Sequence, residues 1–314
     1  MARILITTDY LVPGDAVEQL LRRHGHQPVH SPYTGPRDPA DRQVLFDGVD
    51  GAILAGEPVT AEMLAGADRL RVLARSGVGY DSIDVAAAAS LGVRVCNAPG
   101  TNHHSVAEMT VGLRIATARH LTSVAEAVSR GGWPRTAGHE LHGSTLGVVG
   151  YGPSGRAVAR IGAAMGMTVL VSTSHPDPDD ASVQFADLGT VVEQADYLTL
   201  HARADPARPP LVDARRLRAM KSTAVLVNTA RGSLVDERAL ADALREGTIA
   251  AAALDVLDHE PLSEHSPLHG VDNLLITSHL AGQTVEARAR AGLVAAQAVV
   301  DVLEGREPAH PVDR

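Results

Sequence analysis

The chain has 314 residues, 45% hydrophobic and 21% charged, with a formal net charge of −9. That balance is globular, with apolar material for two cores, and the negative charge speaks against nucleic acid and anionic membrane surfaces as partners. No run of about 18 apolar residues is present to span a membrane, Asp9 ends the first apolar stretch too early for a leader peptide, and a lone Cys96 fits a reducing cytoplasm.

Short apolar runs alternate with helical patterns along the chain, which predicts α/β architecture with parallel sheets. In the first hundred residues strands are expected at 4–7, 27–30, 51–54, 71–75 and 94–97, with amphipathic helices at 16–24, 61–65 and 85–91. Asp84 precedes the last of these as an N-cap. Asn97-Ala98-Pro99-Gly100 is a break, followed by a long helical pattern over 105–121 in which Ser105 and Glu108 have capping-box spacing. After a second break at Gly131-Gly132-Trp133-Pro134, strands are expected at 146–149, 168–172, 197–201, 225–228, 250–256 and 274–277. Helices are expected between them, for example at 156–165 and 237–246, and a last long one at 285–303. Two α/β units emerge, divided near residue 100, and the last helix is free to return to the first.

The first strand of the second unit runs into Gly150-Tyr151-Gly152-Pro153-Ser154-Gly155 and then a helix. In this Gly-x-Gly-x-x-Gly pattern Gly150 permits the tight turn, Gly152 lets the backbone approach a pyrophosphate, and Gly155 lets the helix lie close. The helix N-terminus then offers N–H groups and a positive dipole end to the phosphates. Strand, loop and helix stand in the order a dinucleotide site requires. Pro153 removes one N–H donor but is preorganised as a first helical residue. At the tip of the next strand, where an acid selects NAD by accepting ribose hydroxyls, the chain has Thr173, followed by Ser174, His175 and Asp177. Neutral hydroxyls tolerate a 2′-phosphate and no Arg is present to clamp one. NAD is the cofactor expected, with NADP not excluded.

With these residues in view the sequence resembles the D-isomer-specific 2-hydroxyacid dehydrogenases, in the phosphoglycerate dehydrogenase-like branch. The resemblance rests on Gly77-Val78-Gly79-Tyr80-Asp81-Ser82-Ile83-Asp84, Ser105-Val106-Ala107-Glu108 and the glycine loop. It continues through Val227-Asn228-Thr229-Ala230-Arg231-Gly232, Ala253-Leu254-Asp255-Val256, Glu260-Pro261-Leu262 and Thr277-Ser278-His279. It covers nearly the whole chain, and the length leaves no room for the regulatory domains some relatives carry. It implies two Rossmann-like or flavodoxin-like parallel-sheet domains with an active-site cleft between them. Residues 1–99 with 286–314 would form the substrate-binding (catalytic) domain and 100–285 the dinucleotide-binding domain. It also implies a homodimer using the long helix near 105–121.

The catalytic set carried over by the resemblance is Arg231, Glu260 and His279, and the chemistry of the residue types agrees. Reducing a 2-oxo acid needs a cation for the carboxylate, a proton donor for the carbonyl oxygen, and a hydride. Arg231 has a permanently charged fork that matches a carboxylate. His279 holds and delivers a proton near neutral pH, and Glu260 orients the imidazole from its other nitrogen. Asp255 resembles the family's nicotinamide-side carboxylate. Thr229, Ala230, Ala281 and Gly282 are expected to line the cofactor, with Pro153 and Ser154 against its pyrophosphate. Ser76-Gly77-Val78-Gly79 resembles a loop that turns backbone N–H groups to the substrate carboxylate, a role suited to a nest. Arg75 matches an Arg that faces the substrate phosphate in phosphoglycerate-type members, but the second basic residue expected near Ala55-Gly56 is absent. Trp133 matches a Trp expected to pack ahead of the cofactor domain.

Two other functions compete. The same architecture serves NAD(H)-sensing, corepressor-like binding proteins, and sister dehydrogenases act on other small anions such as phosphite or formate. The phosphite type places a Lys beside its substrate, where this chain has Ser76, and its only lysine, Lys221, lies elsewhere. Scattered His259, His265 and His269 form no ligand spacing, so no metal is expected.

Overall fold

The computed structural model describes residues 1–205 and 207–312. In chain order the elements are β1 (Arg3–Ile6), α1 (Ala16–Arg23), β2 (Gln27–His30), α2 (Pro39–Gln43), β3 (Gly51–Leu54), α3 (Ala61–Leu64), β4 (Val72–Arg75), α4 (Val85–Ser90) and β5 (Arg94–Cys96). There follow α5 (His103–Ala118), α6 (Leu121–Ser129), β6 (Thr145–Val149), α7 (Pro153–Ala164), β7 (Thr168–Ser172), β8 (Gln184–Phe185), α8 (Leu188–Gln194) and β9 (Tyr197–Leu200). The last are α9 (Ala214–Ala219), β10 (Val225–Asn228), α10 (Glu237–Arg245), β11 (Ala251–Leu254), β12 (Leu274–Ile276) and α11 (Val285–Leu303). The chain divides into two compact units, Met1–Asn102 with Gln283–Arg314, and His103–Gly282. Asp313 and Arg314, at the end of the segment 286–314 expected to complete the first domain, lie outside the described residues, as does Pro206 of the loop after β9.

The first unit is a five-stranded sheet of order β2-β1-β3-β4-β5, every pair parallel. Alternation along β1 sets its two cores. Ile4 and Ile6 join a cluster with Val17 and Leu21 of α1 and Ala295, Ala296 and Val299 of α11. Leu5, one residue out of phase, joins Phe46, Met63, Leu64 and Ala88 on the other face. The sheet is thus covered on both faces, which is what parallel strands with apolar side chains on alternate sides require. α11 belongs to this unit although it follows the second in sequence. Its small residues allow a close approach: a Cβ on Gly292 would lie 2.9 Å from Leu11 Cδ2. The helix starts are set by side-chain caps. Asp15, Asp84 and Thr284 accept from the backbone N–H groups of Glu18, Ala87 and Ala287, each worth about 1 kcal/mol.

The second unit is a seven-stranded parallel sheet of order β12-β11-β10-β9-β6-β7-β8. The order reverses between β6 and β9, and ligands of open α/β sheets bind at the carboxyl ends of the strands beside such a reversal. β9, β10 and β11 are wholly or almost wholly buried, their faces shared between two apolar clusters.

Three expectations are corrected. The pattern over 105–121 is not one helix: α5 ends at Ala118 and α6 starts at Leu121, because His120 takes a left-handed conformation (φ 54°) that a right-handed helix cannot contain. Ser105 is not a cap, since α5 starts two residues earlier and buries it in the first turn. Trp133 does not pack within this chain. It is 82% exposed in a run, 128–140, that is exposed throughout, so no core is within its reach. Short helices α2 and α6 lie outside the expected set, whereas α8 and α9 fall between strands of the second unit, where helical patterns are expected. Among the described residues no helix is long and apolar enough to cross a membrane.

Candidate active site

The glycine loop leaves β6 at the point where the sheet order reverses. Gly150 has φ +95°, and a Cβ there would meet the His201 carbonyl carbon at 2.5 Å, just beyond β9. Gly155 is pressed on the same turn, its would-be Cβ 2.1 Å from the Gly150 carbonyl oxygen. Gly152, by contrast, faces open space, with nothing within 4 Å of a Cβ. It is the N-cap of α7 and makes no side-chain cap, while Pro153 takes the first helical position. The N–H groups of Ser154 and Gly155 therefore have no intrahelical acceptor. An open cradle a side chain would fill, above a helix N-terminus, suits the pyrophosphate of a dinucleotide. His201, half-buried under this turn, is brought down to about 3 by desolvation and by the charge of Arg114, so it stands neutral there. Beyond β7, Thr173 Oγ1 accepts from the His175 N–H at 3.2 Å.

The carboxyl ends of β10, β11 and β12 carry the remaining candidates. After β10, Asn228 ties the turn: its Oδ1 accepts from the Ala230 N–H (3.0 Å) and its Nδ2 donates to the Arg231 carbonyl (2.8 Å). Thr229, buried, shares a 2.9 Å bond with Thr110 of α5. Arg231 Nη1 donates to the Ala230 carbonyl at 2.7 Å. Gly232, which follows Arg231 in this turn, sets how close the turn can lie to its neighbour. A Cβ on it would fall 1.9 Å from the Leu257 carbonyl carbon, so only glycine lets the Arg231 turn lie against the segment leading to Glu260. Glu260 Oε1 accepts from the Leu257 N–H at 3.0 Å.

Glu260 Oε2 lies 2.8 Å from His279 Nδ1. Burial pushes the Glu260 carboxyl up, but the bond from His279, the Leu257 N–H and the charges of His279 and Arg231 outweigh it and hold it below the ordinary value. Both side chains remain open to solvent, 49% for His279 and 38% for Glu260. His279 is left-handed, φ 57°, and its N–H donates to the Asp255 carbonyl at 2.8 Å.

Asp255, 1% exposed, organises this turn. Its carboxylate accepts from Thr277 Oγ1 (2.6 Å), the Leu280 N–H (2.8 Å) and the Ala281 N–H (2.7 Å). Ala281 is buried and Gly282 half-buried beside it. The second unit thus brings Arg231, Glu260, His279 and Asp255 to one end of its sheet. Nothing in the sequence announces the Asp255 bonds, because two of the three donors are backbone groups.

In the first unit, Ser76-Gly77-Val78-Gly79 follows β4. The Ser76 N–H goes to the Leu54 carbonyl and that of Gly77 to the Arg75 carbonyl, which leaves Val78 and Gly79 as the donors this loop has to offer an anion. Arg75 Nη1 donates to the Ser76 carbonyl at 3.1 Å. The structure adds Tyr10, which sequence reading missed. Its hydroxyl donates to the Ser76 carbonyl (3.0 Å) and shares a 2.8 Å bond with the Ser76 hydroxyl, while Arg288 lies 4.7 Å over its ring.

Residues 111–281 match the family model for the NAD binding domain of D-isomer specific 2-hydroxyacid dehydrogenases. The chain is 39% identical over 259 residues to the D-3-phosphoglycerate dehydrogenase of Methanocaldococcus jannaschii, covering 81% of this chain and 49% of that protein. It therefore spans about half the length of that relative. It is 37% identical over 273 residues to the glyoxylate reductase of Aeropyrum pernix, covering 83% of this chain and 82% of the relative. Among solved structures, the TT0316 protein of Thermus thermophilus superposes with a TM-score of 0.89 at 36% identity over 99% of both chains.

Proposed function

The chain belongs to the family of D-isomer-specific 2-hydroxyacid dehydrogenases, and on that premise we propose that it interconverts a small 2-oxo acid and its D-2-hydroxy acid with a nicotinamide dinucleotide. The observation that carries the reading is the 2.8 Å contact of His279 Nδ1 with Glu260, under the charge of Arg231. When bound, the nicotinamide supplies or accepts the hydride. The guanidinium of Arg231 binds the substrate carboxylate, and its fork fixes the orientation of the 2-carbon. Within the first unit by itself, the Val78 and Gly79 N–H groups are donors suited to an anion. Glu260 keeps the proton on Nδ1 of His279, so Nε2 is the nitrogen that works. The imidazolium gives its Nε2 proton to the carbonyl oxygen in reduction, and the neutral ring takes the hydroxyl proton in oxidation. Gly150, Gly152, Pro153, Ser154 and Gly155 would receive the pyrophosphate, Thr173 would stand at the ribose, and Thr229, Ala230, Asp255, Ala281 and Gly282 would line the nicotinamide side.

The relatives named for glyoxylate and for D-3-phosphoglycerate support a small anionic acid as substrate. The exposed apolar run of Leu121, Val128 and Trp133 supports a homodimer that covers it. The one cysteine, buried Cys96, is in keeping with a reducing cytoplasm. The test is a panel of glyoxylate, pyruvate, hydroxypyruvate and, in the oxidative direction, 3-phosphoglycerate, run with both nucleotides and followed by nicotinamide absorbance. Turnover of at least one acid is expected. Tight nucleotide binding with no turnover of any would replace this reading with a nucleotide sensor.

A further inference from the structure

The nucleotide-binding fold separates NAD from NADP with a charge at the tip of its second strand. In this chain that tip is uncharged: Thr173 is followed by Ser174, whose Oγ shares a 2.9 Å bond with Nδ1 of His175. Charge is found a few residues away, at the start of α7 and in the loop after β7, and it is tied up. Arg156, in the first turn of α7, lays its guanidinium 4.4 Å over the ring of Tyr151, the middle residue of Gly150-Tyr151-Gly152. Its Nη1 is 3.3 Å from Asp177 Oδ2 and 3.8 Å from Asp180 Oδ2. The Tyr151 hydroxyl donates to Asp180 Oδ2 at 2.6 Å, and the ring meets Phe185 edge-on at 5.4 Å. Asp180 Oδ1 accepts from the backbone and hydroxyl of Ser182, and Asp177 Oδ1 from the Asp179 N–H at 3.3 Å. Burial and the Asp180 carboxylate together push the Tyr151 hydroxyl up to about 12, so it stays a donor across the working range of pH.

We infer that nucleotide selection in this chain has moved from the strand tip to this clamp: Asp177 and Asp180 hold Arg156 against Tyr151 and cancel its charge, so the site takes NAD(H) over NADP(H) by withholding a cation. The inference rests on the proposed dinucleotide site. One guanidinium against two carboxylates leaves the clamp with a net charge of −1. A 2′-phosphate dianion meets repulsion there and no partner, while a 2′-hydroxyl loses nothing. The groups are exposed enough for solvent to weaken the effect: the side chains of Arg156 and Asp177 are each 41% accessible. The preference is therefore moderate, about tenfold, and it is reversible by uncovering Arg156, which already stands on the first turn of the phosphate-binding helix. Arg is the side chain best suited to a phosphate once its acids are removed.

The test is direct binding of NADH and of NADPH to the intact protein without substrate, by titration calorimetry. Wild type is expected to bind NADH about tenfold more tightly. Asp177→Asn, which leaves the Tyr151–Asp180 bond in place, should tighten NADPH severalfold with NADH little changed, and Asp177→Asn with Asp180→Asn should bring the two nucleotides level. Adding Arg156→Gln to either variant should abolish the gain. Wild type binding NADPH as tightly as NADH would overturn the inference. So would a ratio unmoved by Asp177→Asn, or a gain that survives Arg156→Gln. Failure to bind either nucleotide would overturn the dinucleotide reading itself, whereas binding with an unmoved ratio would leave that reading standing and remove only the clamp.

Discussion

Asp255→Ala tests whether the turn carrying His279 is held by one buried carboxylate. The substitution removes the acceptor for three donors at 2.6, 2.7 and 2.8 Å. Bonds to a charged acceptor contribute about 1.5–3 kcal/mol each, but they do not add and the donors fare differently once it is gone. Leu280 is 48% exposed and Thr277 half-buried, so water replaces Asp255 for these two donors at a smaller cost. The Ala281 N–H, in a residue only 3% exposed, is stranded at a cost of about 1–3 kcal/mol. Together the loss is about 2–3 kcal/mol, which for a unit of this size lowers Tm by on the order of 5–10 °C. The same bonds help keep His279 in its left-handed conformation, a strain of about 1–3 kcal/mol, beside the His279 N–H bond to the Asp255 carbonyl and the Glu260 contact that the substitution leaves in place. Once released, the imidazole moves, and a displacement near 1 Å costs about 10²-fold in turnover. The assay pairs a thermal melt with kcat for glyoxylate reduction at saturating NADH. An unchanged melt with kcat within threefold of wild type would refute the reasoning.

Arg231→Ala should raise KM for the 2-oxo acid and lower kcat together while NADH affinity is kept; unchanged steady-state kinetics would remove the carboxylate from its assigned partner. Gly232→Ala forces a methyl into the Leu257 carbonyl carbon, 1.9 Å away, so the segment bearing Glu260 must shift; kcat should fall at least tenfold, and a fully active variant would show that the close approach is dispensable. Arg114→Met should stabilise the protein. Arg114 is fully buried, its Nε and Nη2 lack hydrogen-bond partners among the described residues, and burial brings it below its ordinary value to about 10. That shift corresponds to about 3 kcal/mol against the charged form. Because the folded value lies below the unfolded one, the penalty is complete at neutral pH and is relieved only as pH rises past about 10. A urea midpoint that does not rise in the Met variant would show that the guanidinium is satisfied.

What could be read from the residues followed from how local each signal is. Strands such as Val225–Asn228 announce themselves as short apolar runs, and the glycine loop because each glycine answers a separate steric need. Arg231, Glu260 and His279 stand 29 and 19 residues apart in sequence, and only their motif contexts joined them; their meeting at one end of the sheet depends on the parallel order of β10, β11 and β12. Tertiary features stayed hidden. An Arg on a helix reads as a surface residue, yet Arg114 is interior. Trp133 reads as a core residue, yet it lies on an exposed arm. His120 gives no sign that the chain reverses hand there, and the Arg156–Asp177–Asp180–Tyr151 clamp joins residues up to 29 positions apart with no motif to link them.

The account turns on whether His279 moves the proton while taking no part in holding the nucleotide. The most direct measurement is His279→Ala, with kcat for 2-oxo acid reduction and the NADH dissociation constant determined on the same preparation. The prediction is a fall in kcat of about 10²–10⁴-fold with NADH binding unchanged. A loss below tenfold, or a loss of NADH affinity matching the loss of turnover, would contradict it.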